Sequence, residues 1–352
     1  MNRITAFCVL MVVAIFGCIL QGVPRYVDNL KIKWNEVLEN KLSTQPNTSD
    51  TFTSSITTSL AFSKTTSSNL QDEFPAITEH AVFIWEDLQR RRKEHVATIC
   101  QQHPELMAEQ VNYGRFLVDD NYKILYCPVA KVASSNWRRV MLVLRGTFRN
   151  VYEIGKGVPY KYKYTSLNSY TNSEIQLRMR TYTKFMFSRH PFTKLLSAYN
   201  DKLSGDSPKD VFLKKIVPRV NAANKMNYTG AGFTFQEFVN YILETDPDLF
   251  DGHWGLIKNH CNPCNVKFDF LGKFETLSED VDGILRKINA SEVADFSSYV
   301  PHRTNSSSID TVTDHFSHLT EQQIEGLYAK YKIDFDLFDY DNDQFLNISQ
   351  SL

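Results

Sequence analysis

Hydrophobic and polar positions divide this chain into regions of distinct character. Residues Ile4 to Leu20, ITAFCVLMVVAIFGCIL, carry no charge and follow only Met-Asn-Arg. A run of this length suits a membrane-spanning helix and exceeds most signal-peptide cores. Gly17-Cys18-Ile19-Leu20-Gln21 is a weak cleavage site, so residues 4–22 are read as an uncleaved signal anchor, with a cleaved signal as the alternative. Residues 1–3 then form a cytoplasmic tail. The following stretch is polar: STQPNTSDTFTSSITTSLAFSKTTSSN at 43–69 has too few apolar positions to bury itself. Residues 23–75 are read as a stem, leaving 76–352 as one lumenal domain.

Within that domain the periodicity changes repeatedly. Trp85 to Cys100 reads as a helix, and its Arg90-Arg91-Arg92-Lys93 run as a solvated face. Tyr122 to Cys127 reads as a short strand, followed by a polar loop and an apolar-periodic helix from Trp137 to Leu144. Tyr182 to Phe187 is a second β-rich run, followed by Ser188-Arg189-His190-Pro191 and a helix from about Phe192. Phe268 to Phe274 predicts a further strand before a helix at Ser278–Ile288, and Glu321–Tyr331 a final helix. Strand, polar loop and helix in alternation predict an α/β domain with a central parallel sheet flanked by helices.

Composition narrows the setting. Across 352 residues the formal net charge is -1, which gives no case for general nucleic-acid binding. Any anion site must be local. Asn-x-Ser/Thr sequons at Asn47, Asn227, Asn289, Asn305 and Asn347 suit a secretory destination. Cys8 and Cys18 lie in the apolar run, leaving Cys100, Cys127, Cys261 and Cys264 for two disulfides with three pairings open. Cys261-x-x-Cys264 lacks a second pair at zinc-ligand spacing, so no metal site is assigned.

The two βα loops carry the chemistry. The first delivers Lys131, then Ser134 and Ser135, directly into a helix. A helix N-terminus offers unpaired N–H groups and the positive end of its dipole, and the lysine and hydroxyls add charge and donors. By itself the pattern is also that of an ordinary serine N-cap, and it lacks the Walker glycines of ATPases. The second loop places Arg189 after a strand and Ser197 two helical turns on. Arginine's planar fork suits a terminal phosphate, and Pro191 suits a first helical turn. Two anion-binding loops on one sheet suit a nucleoside with phosphates at both ends.

Lys131-Val-Ala-Ser-Ser-Asn-Trp-Arg-Arg139 resembles the 5′-phosphosulfate loop of the Golgi carbohydrate sulfotransferases related to chondroitin and dermatan 4-O-sulfotransferases. Phe187-Ser-Arg-His-Pro-Phe-Thr-Lys-Leu-Leu-Ser-Ala-Tyr-Asn-Asp-Lys202 resembles that family's 3′-phosphate loop. His253-Trp254, Cys261-Asn-Pro-Cys264 and Phe268 to Leu277 are similar to its acceptor-side region, and the resemblance continues through Tyr328–Tyr340. The family usually has Pro before the loop lysine and Cys at the position of Ser134; in this chain Ala130 precedes Lys131 and Pro128 lies earlier.

The resemblance implies a P-loop-like sulfotransferase fold in a single-pass type II Golgi membrane protein. It implies transfer of a sulfuryl group from 3′-phosphoadenosine 5′-phosphosulfate (PAPS) to a glycan hydroxyl, with position 4 of N-acetylgalactosamine in chondroitin or dermatan as the first expectation. Lys131, Val132, Ala133, Ser134, Ser135, Asn136, Arg189, Ser197 and Arg303 are then the cofactor-binding residues. Lys131 and His253 are the catalytic candidates: Lys131 for leaving-group charge, His253 as the base for the acceptor hydroxyl. Trp254 is a candidate sugar-stacking residue and Glu275 a second candidate base, with helix-start or ion-pair roles also open for Glu275. An N-glycan terminus as acceptor, a glycan-binding relative that has lost transfer, and a nucleotide kinase with a variant loop are the competing readings.

Overall fold

A mixed five-stranded sheet packed among helices forms the architecture, seen in a computed structural model that describes residues 79–204, 210–225, 233–294 and 307–350. All of these lie within one compact unit, Glu73–Leu352. The anchor and stem expectations fall outside the described residues. Among the described residues no helix is long and apolar enough to cross a membrane.

The strands are β1 (Leu117–Asp119), β2 (Ile124–Cys127), β3 (Thr165–Ser166), β4 (Thr183–Ser188) and β5 (Phe270–Lys273), in the order β3-β1-β2-β4-β5. The expected parallel sheet is therefore present only in part. β2, β4 and β5 are parallel, whereas β1 pairs antiparallel with both β2 and β3. The cause is local. Asp119 accepts hydrogen bonds from the N–H groups of Asn121 and Tyr122, and Lys123 takes φ 51°, so the chain turns back as a hairpin. The central strands are apolar on both faces, as helix-covered parallel strands must be: every residue of β2 is buried, as are all but the first of β4.

The described helices are α1 (Glu79–Gln102), α2 (Pro104–Met107), α3 (Ser134–Leu144), α4 (Asn172–Thr181), α5 (Pro191–Lys202), α6 (Asp210–Asn224), α7 (Phe235–Glu244), α8 (Ile257–Cys261), α9 (Leu277–Lys287), α10 (Ile309–Phe316), α11 (Glu321–Phe338) and α12 (Asp343–Gln350). One apolar core surrounds the sheet and includes α3 and α9; a second gathers α5, α7, α10 and α11 around Phe192, Phe238, Trp254 and Phe335. On α1, Trp85, Gln89, Val96 and Cys100 are buried at helical spacing.

Arg92 shares that face, which corrects the expectation of a fully solvated basic run. Arg90, Arg91 and Lys93 are exposed, but the Arg92 guanidinium binds the wholly buried Asp280 at 2.8 Å. Asp280 also accepts from Trp85 Nε1, Gln89 Nε2, Thr276 Oγ1 and the Lys273 N–H, tying α1 to β5 and α9.

Close backbone approach requires glycine at two positions beside these elements. A Cβ at Gly272 would lie 2.2 Å from the Phe187 ring, and one at Gly283 would lie 2.2 Å from Trp85. The disulfides join Cys100 to Cys264 and Cys127 to Cys261, so the two cysteines of the Cys-x-x-Cys pair each reach a distant element instead of each other. Asn289, of the Asn289-Ala-Ser sequon, is exposed with φ 55° just past α9.

Candidate active site

The parallel registers set Cys127 beside Met186 and Ser188 beside Lys273, so β2, β4 and β5 end on the same edge of the sheet. Ligands of open α/β sheets bind outside these carboxyl ends. Both loops singled out from the sequence leave from there.

After β2 the chain enters α3 through two left-handed residues, Lys131 (φ 66°) and Ala133 (φ 52°). Such alternation turns successive N–H groups to one side and makes an anion-binding concavity. Val132, between them, is completely buried and anchors the loop in the core. Among the described residues the N–H groups of Ala133, Ser134 and Ser135 have no protein partner, while those of Asn136 and Trp137 bond back to the Ala133 carbonyl. The Ser135 hydroxyl lies 2.5 Å from the Tyr160 hydroxyl, and Asn136 Oδ1 accepts from Arg139.

Lys131 Nζ lies 3.2 Å from Asp201 Oδ2, which also meets Lys202 Nζ at 2.9 Å. Burial pushes the Lys131 pKa down to about 8, although the neighbouring Asp201 charge opposes the shift. Arg189, 3% exposed, donates to Thr193 Oγ1, the Lys131 carbonyl and Ser307 Oγ, and its guanidinium lies 4.1 Å above the Phe274 ring centre. Burial lowers its pKa to about 10, despite the opposing charge of Glu275. Buried Arg189 and partly buried Lys131, joined through the Lys131 backbone, both have their charge disfavoured and would each gain from an incoming anion. That is the observation by which the residues fit a phosphorylated ligand.

Helix α5 organises the rest. Thr193, Ser197 and Asp201 recur every four residues and therefore share one face. Thr193 holds Arg189, Asp201 meets Lys131, and the buried Ser197 lies between them on the helix. At its start His190 caps α5: Nδ1 accepts the Phe192 N–H, so Nε2 carries the proton and donates to the Asp341 carbonyl. Burial depresses its pKa, and the ring stays neutral in this role. Glu275 is occupied as a clamp, accepting from the His190 N–H and the Tyr340 hydroxyl, and it lies in the short turn Phe274–Thr276 that leads into α9.

On the acceptor-side block, His253 is partly exposed and its Nδ1 lies 2.7 Å from Asp251 Oδ1. Donation to Asp251 fixes the tautomer that leaves Nε2 as the proton-accepting nitrogen. Trp254 contradicts its expected role: it is completely buried, edge-on to Phe238 and Tyr241, and no sugar reaches it. Arg303 lies outside the described residues.

Sequence reasoning missed three contributors. Asp201 stood inside the quoted motif without a role, although the four-residue spacing of Thr193, Ser197 and Asp201 was legible. Asp251, two residues before His253, also went unassigned. Lys194 is fully buried and donates to the Gly255 carbonyl at 2.6 Å and the His253 carbonyl at 3.4 Å. Burial takes its pKa down to about 8. It ties the His253 backbone to the helix that carries Ser197 and Asp201, and nothing in its sequence context marks it as buried.

Comparison with known proteins supplies the family. Residues 114–341 match the Sulfotransferase family. Human (Homo sapiens) carbohydrate sulfotransferase 9 is 32% identical over 267 residues, 72% of this chain and 60% of the relative. Carbohydrate sulfotransferase 11 of Danio rerio is 31% identical over 279 residues, covering 74% of this chain and 78% of the relative. Carbohydrate sulfotransferase 14 of Danio rerio is 36% identical over 230 residues, 64% and 61% of the two chains. No solved structure matches the chain significantly. This chain belongs to the Sulfotransferase family, among the carbohydrate sulfotransferases.

Proposed function

We propose that this enzyme transfers a sulfuryl group from PAPS to a sugar hydroxyl, with position 4 of N-acetylgalactosamine in chondroitin or dermatan as the preferred acceptor. One observation carries the reading. Buried Arg189 and partly buried Lys131, joined through the Lys131 carbonyl, lie beside open helix N–H groups at the carboxyl edge of the sheet. PAPS supplies an activated sulfuryl group on a phosphate leaving group.

The protein's own residues then have distinct tasks. The N–H groups of Ala133, Ser134 and Ser135, with Lys131, would hold the phosphosulfate end; Arg189 and Ser197 would hold the 3′-phosphate. Lys131 is suited to stabilise charge as it builds on the departing oxygen. His253 Nε2 would take the acceptor proton, and Asp251 would hold the ring and stabilise the imidazolium formed. Lys194 acts at one remove by fixing the His253 backbone. Residues 4–22 would anchor the chain in the Golgi membrane with the catalytic domain lumenal.

The test is transfer of labelled sulfate by the full-length chain to desulfated chondroitin, dermatan, heparan and N-glycan acceptors, beside Lys131→Ala and Arg189→Ala. Transfer to the galactosamine-containing chains, lost in both variants, is expected. Failure to bind PAPS at all would overturn the reading.

A further inference from the structure

Beside the first loop, the stretch from Arg145 to Tyr164 has an unusual composition for a chain of net charge -1. It carries Arg145, Arg149, Lys156, Lys161 and Lys163 against the carboxylate of Glu153. It also displays tyrosines on the surface: Tyr152 and Tyr160 are 46% and 61% exposed, and Tyr162 is 38% exposed.

The stretch is strapped to α3. Buried Arg139 donates from Nε to the Ile154 carbonyl, the Tyr164 hydroxyl donates to the Arg138 carbonyl, and Tyr160 meets Ser135. Near its end, at Tyr160, the strap therefore touches the loop that carries the open N–H groups. Arg138 lies over the rings of Tyr160 and Tyr164, and Arg145 over those of Tyr162 and Tyr164.

The decisive feature is pairing. Several cations elsewhere on the surface have carboxylate partners: Arg90 with Asp87 and Glu94, Arg178 with Asp120, Lys258 with Glu109, Lys332 with Asp336. Among the described residues, Arg138 and the five cations of the strap form no salt bridge. Glu153 is turned aside, accepting from the Arg149 N–H and Asn150 Nδ2. A cluster of unneutralised charge is costly to concentrate and attracts a polyanion. Exposed tyrosine rings interleaved with it offer apolar faces and hydroxyls to sugar rings.

We infer that the Arg145–Tyr164 strap, with Arg138, is a docking track for an acidic polysaccharide, one bearing carboxylates along its length, that leads the chain to the Lys131 loop. This rests on the sulfotransferase reading and narrows its acceptor: a linear polyanion in preference to a neutral glycan terminus. Lys156, Lys161 and Lys163 are exposed and make no side-chain contact among the described residues, so replacing them tests charge without disturbing the fold.

The experiment compares the full-length chain with the Lys156→Gln, Lys161→Gln, Lys163→Gln triple variant, and with a control that removes exposed charge elsewhere, Lys93→Gln with Lys267→Gln. Binding of desulfated chondroitin and of the same polymer with its carboxylates chemically reduced is measured without donor at several salt concentrations. Transfer is measured separately. The track predicts that the triple variant binds the acidic polymer about tenfold more weakly, with a shallower salt dependence, and that its KM for that polymer rises in step. The control variant should match the parent, which should bind the reduced polymer poorly. Equal binding of both polymers, or unchanged affinity and salt slope in the triple variant, would overturn the inference and leave the transferase reading intact. Lysine-dependent binding without transfer to any acceptor would uphold the track and overturn the transferase reading.

Discussion

The pKa of Lys131 makes the proposed chemistry open to a quantitative test. Its ammonium is removed from water and lies beside Asp201, and burial outweighs that partner to leave a pKa of about 8. The charged form is the one that binds and stabilises anions, so activity should fall as pH rises through this value. Roughly nine-tenths of Lys131 is cationic at pH 7 and one-tenth at pH 9, so kcat/KM for PAPS should drop roughly tenfold between them, about 1.4 kcal/mol. Because kcat/KM reports the free enzyme, the midpoint belongs to the site before the donor arrives. Asp201→Asn removes an attraction that raises the pKa while Lys202 remains, so the midpoint should move to lower pH. Lys131→Arg keeps a permanent charge and should abolish the fall near pH 8, even where the overall rate is reduced. The assay is initial-rate sulfate transfer from pH 6 to 10 at saturating acceptor. An unmoved midpoint in Asp201→Asn, or a persistent fall in Lys131→Arg, would refute the assignment.

Other expectations follow from the same contacts. His253→Ala should lower kcat by about 100- to 10,000-fold with PAPS affinity unchanged by titration calorimetry, and Asp251→Asn should cause a smaller loss in the same direction. Asp280→Ala strands the partly buried Arg92 and several donors; a cost of about 3–5 kcal/mol predicts a Tm roughly 5–9 °C lower for a domain of this size, read by scanning calorimetry. Gly272→Ala forces a methyl into the Phe187 ring and should cost about 1–3 kcal/mol in denaturant unfolding. Replacing Cys127 and Cys261 together by Ser frees the end of β2 from α8 and should cost about 2–5 kcal/mol by the same measure.

Much of the site was readable along the chain because its signals are local. A strand, a cation and a helix start lie within a few residues in each βα loop, so Lys131, Ser135 and Arg189 stood out as candidates, and the resemblance gave them their expected roles. The departures have equally specific causes. The β1–β2 hairpin turned a parallel expectation into a mixed sheet through the side-chain carboxylate of one aspartate, Asp119, which accepts hydrogen bonds from two backbone N–H groups. Arg92 looked like one member of a solvated run because its partner, Asp280, lies 188 residues away. Trp254 looked like a sugar platform, since sequence gives its type but not its burial.

By itself, then, the sequence determined the alternation of strands and helices, the two candidate anion loops and, through the residues they carry, the family. Each depends on residues close together in the chain, where periodicity and capping act. Only the tertiary structure decided the disulfide pairing, the clamps made by Glu275 and Lys194, the union of Lys131 with Asp201, and the unneutralised charge of the Arg145–Tyr164 strap. Those properties depend on which groups lose water and which opposite charges come within a few ångströms, and both are settled by packing between distant segments.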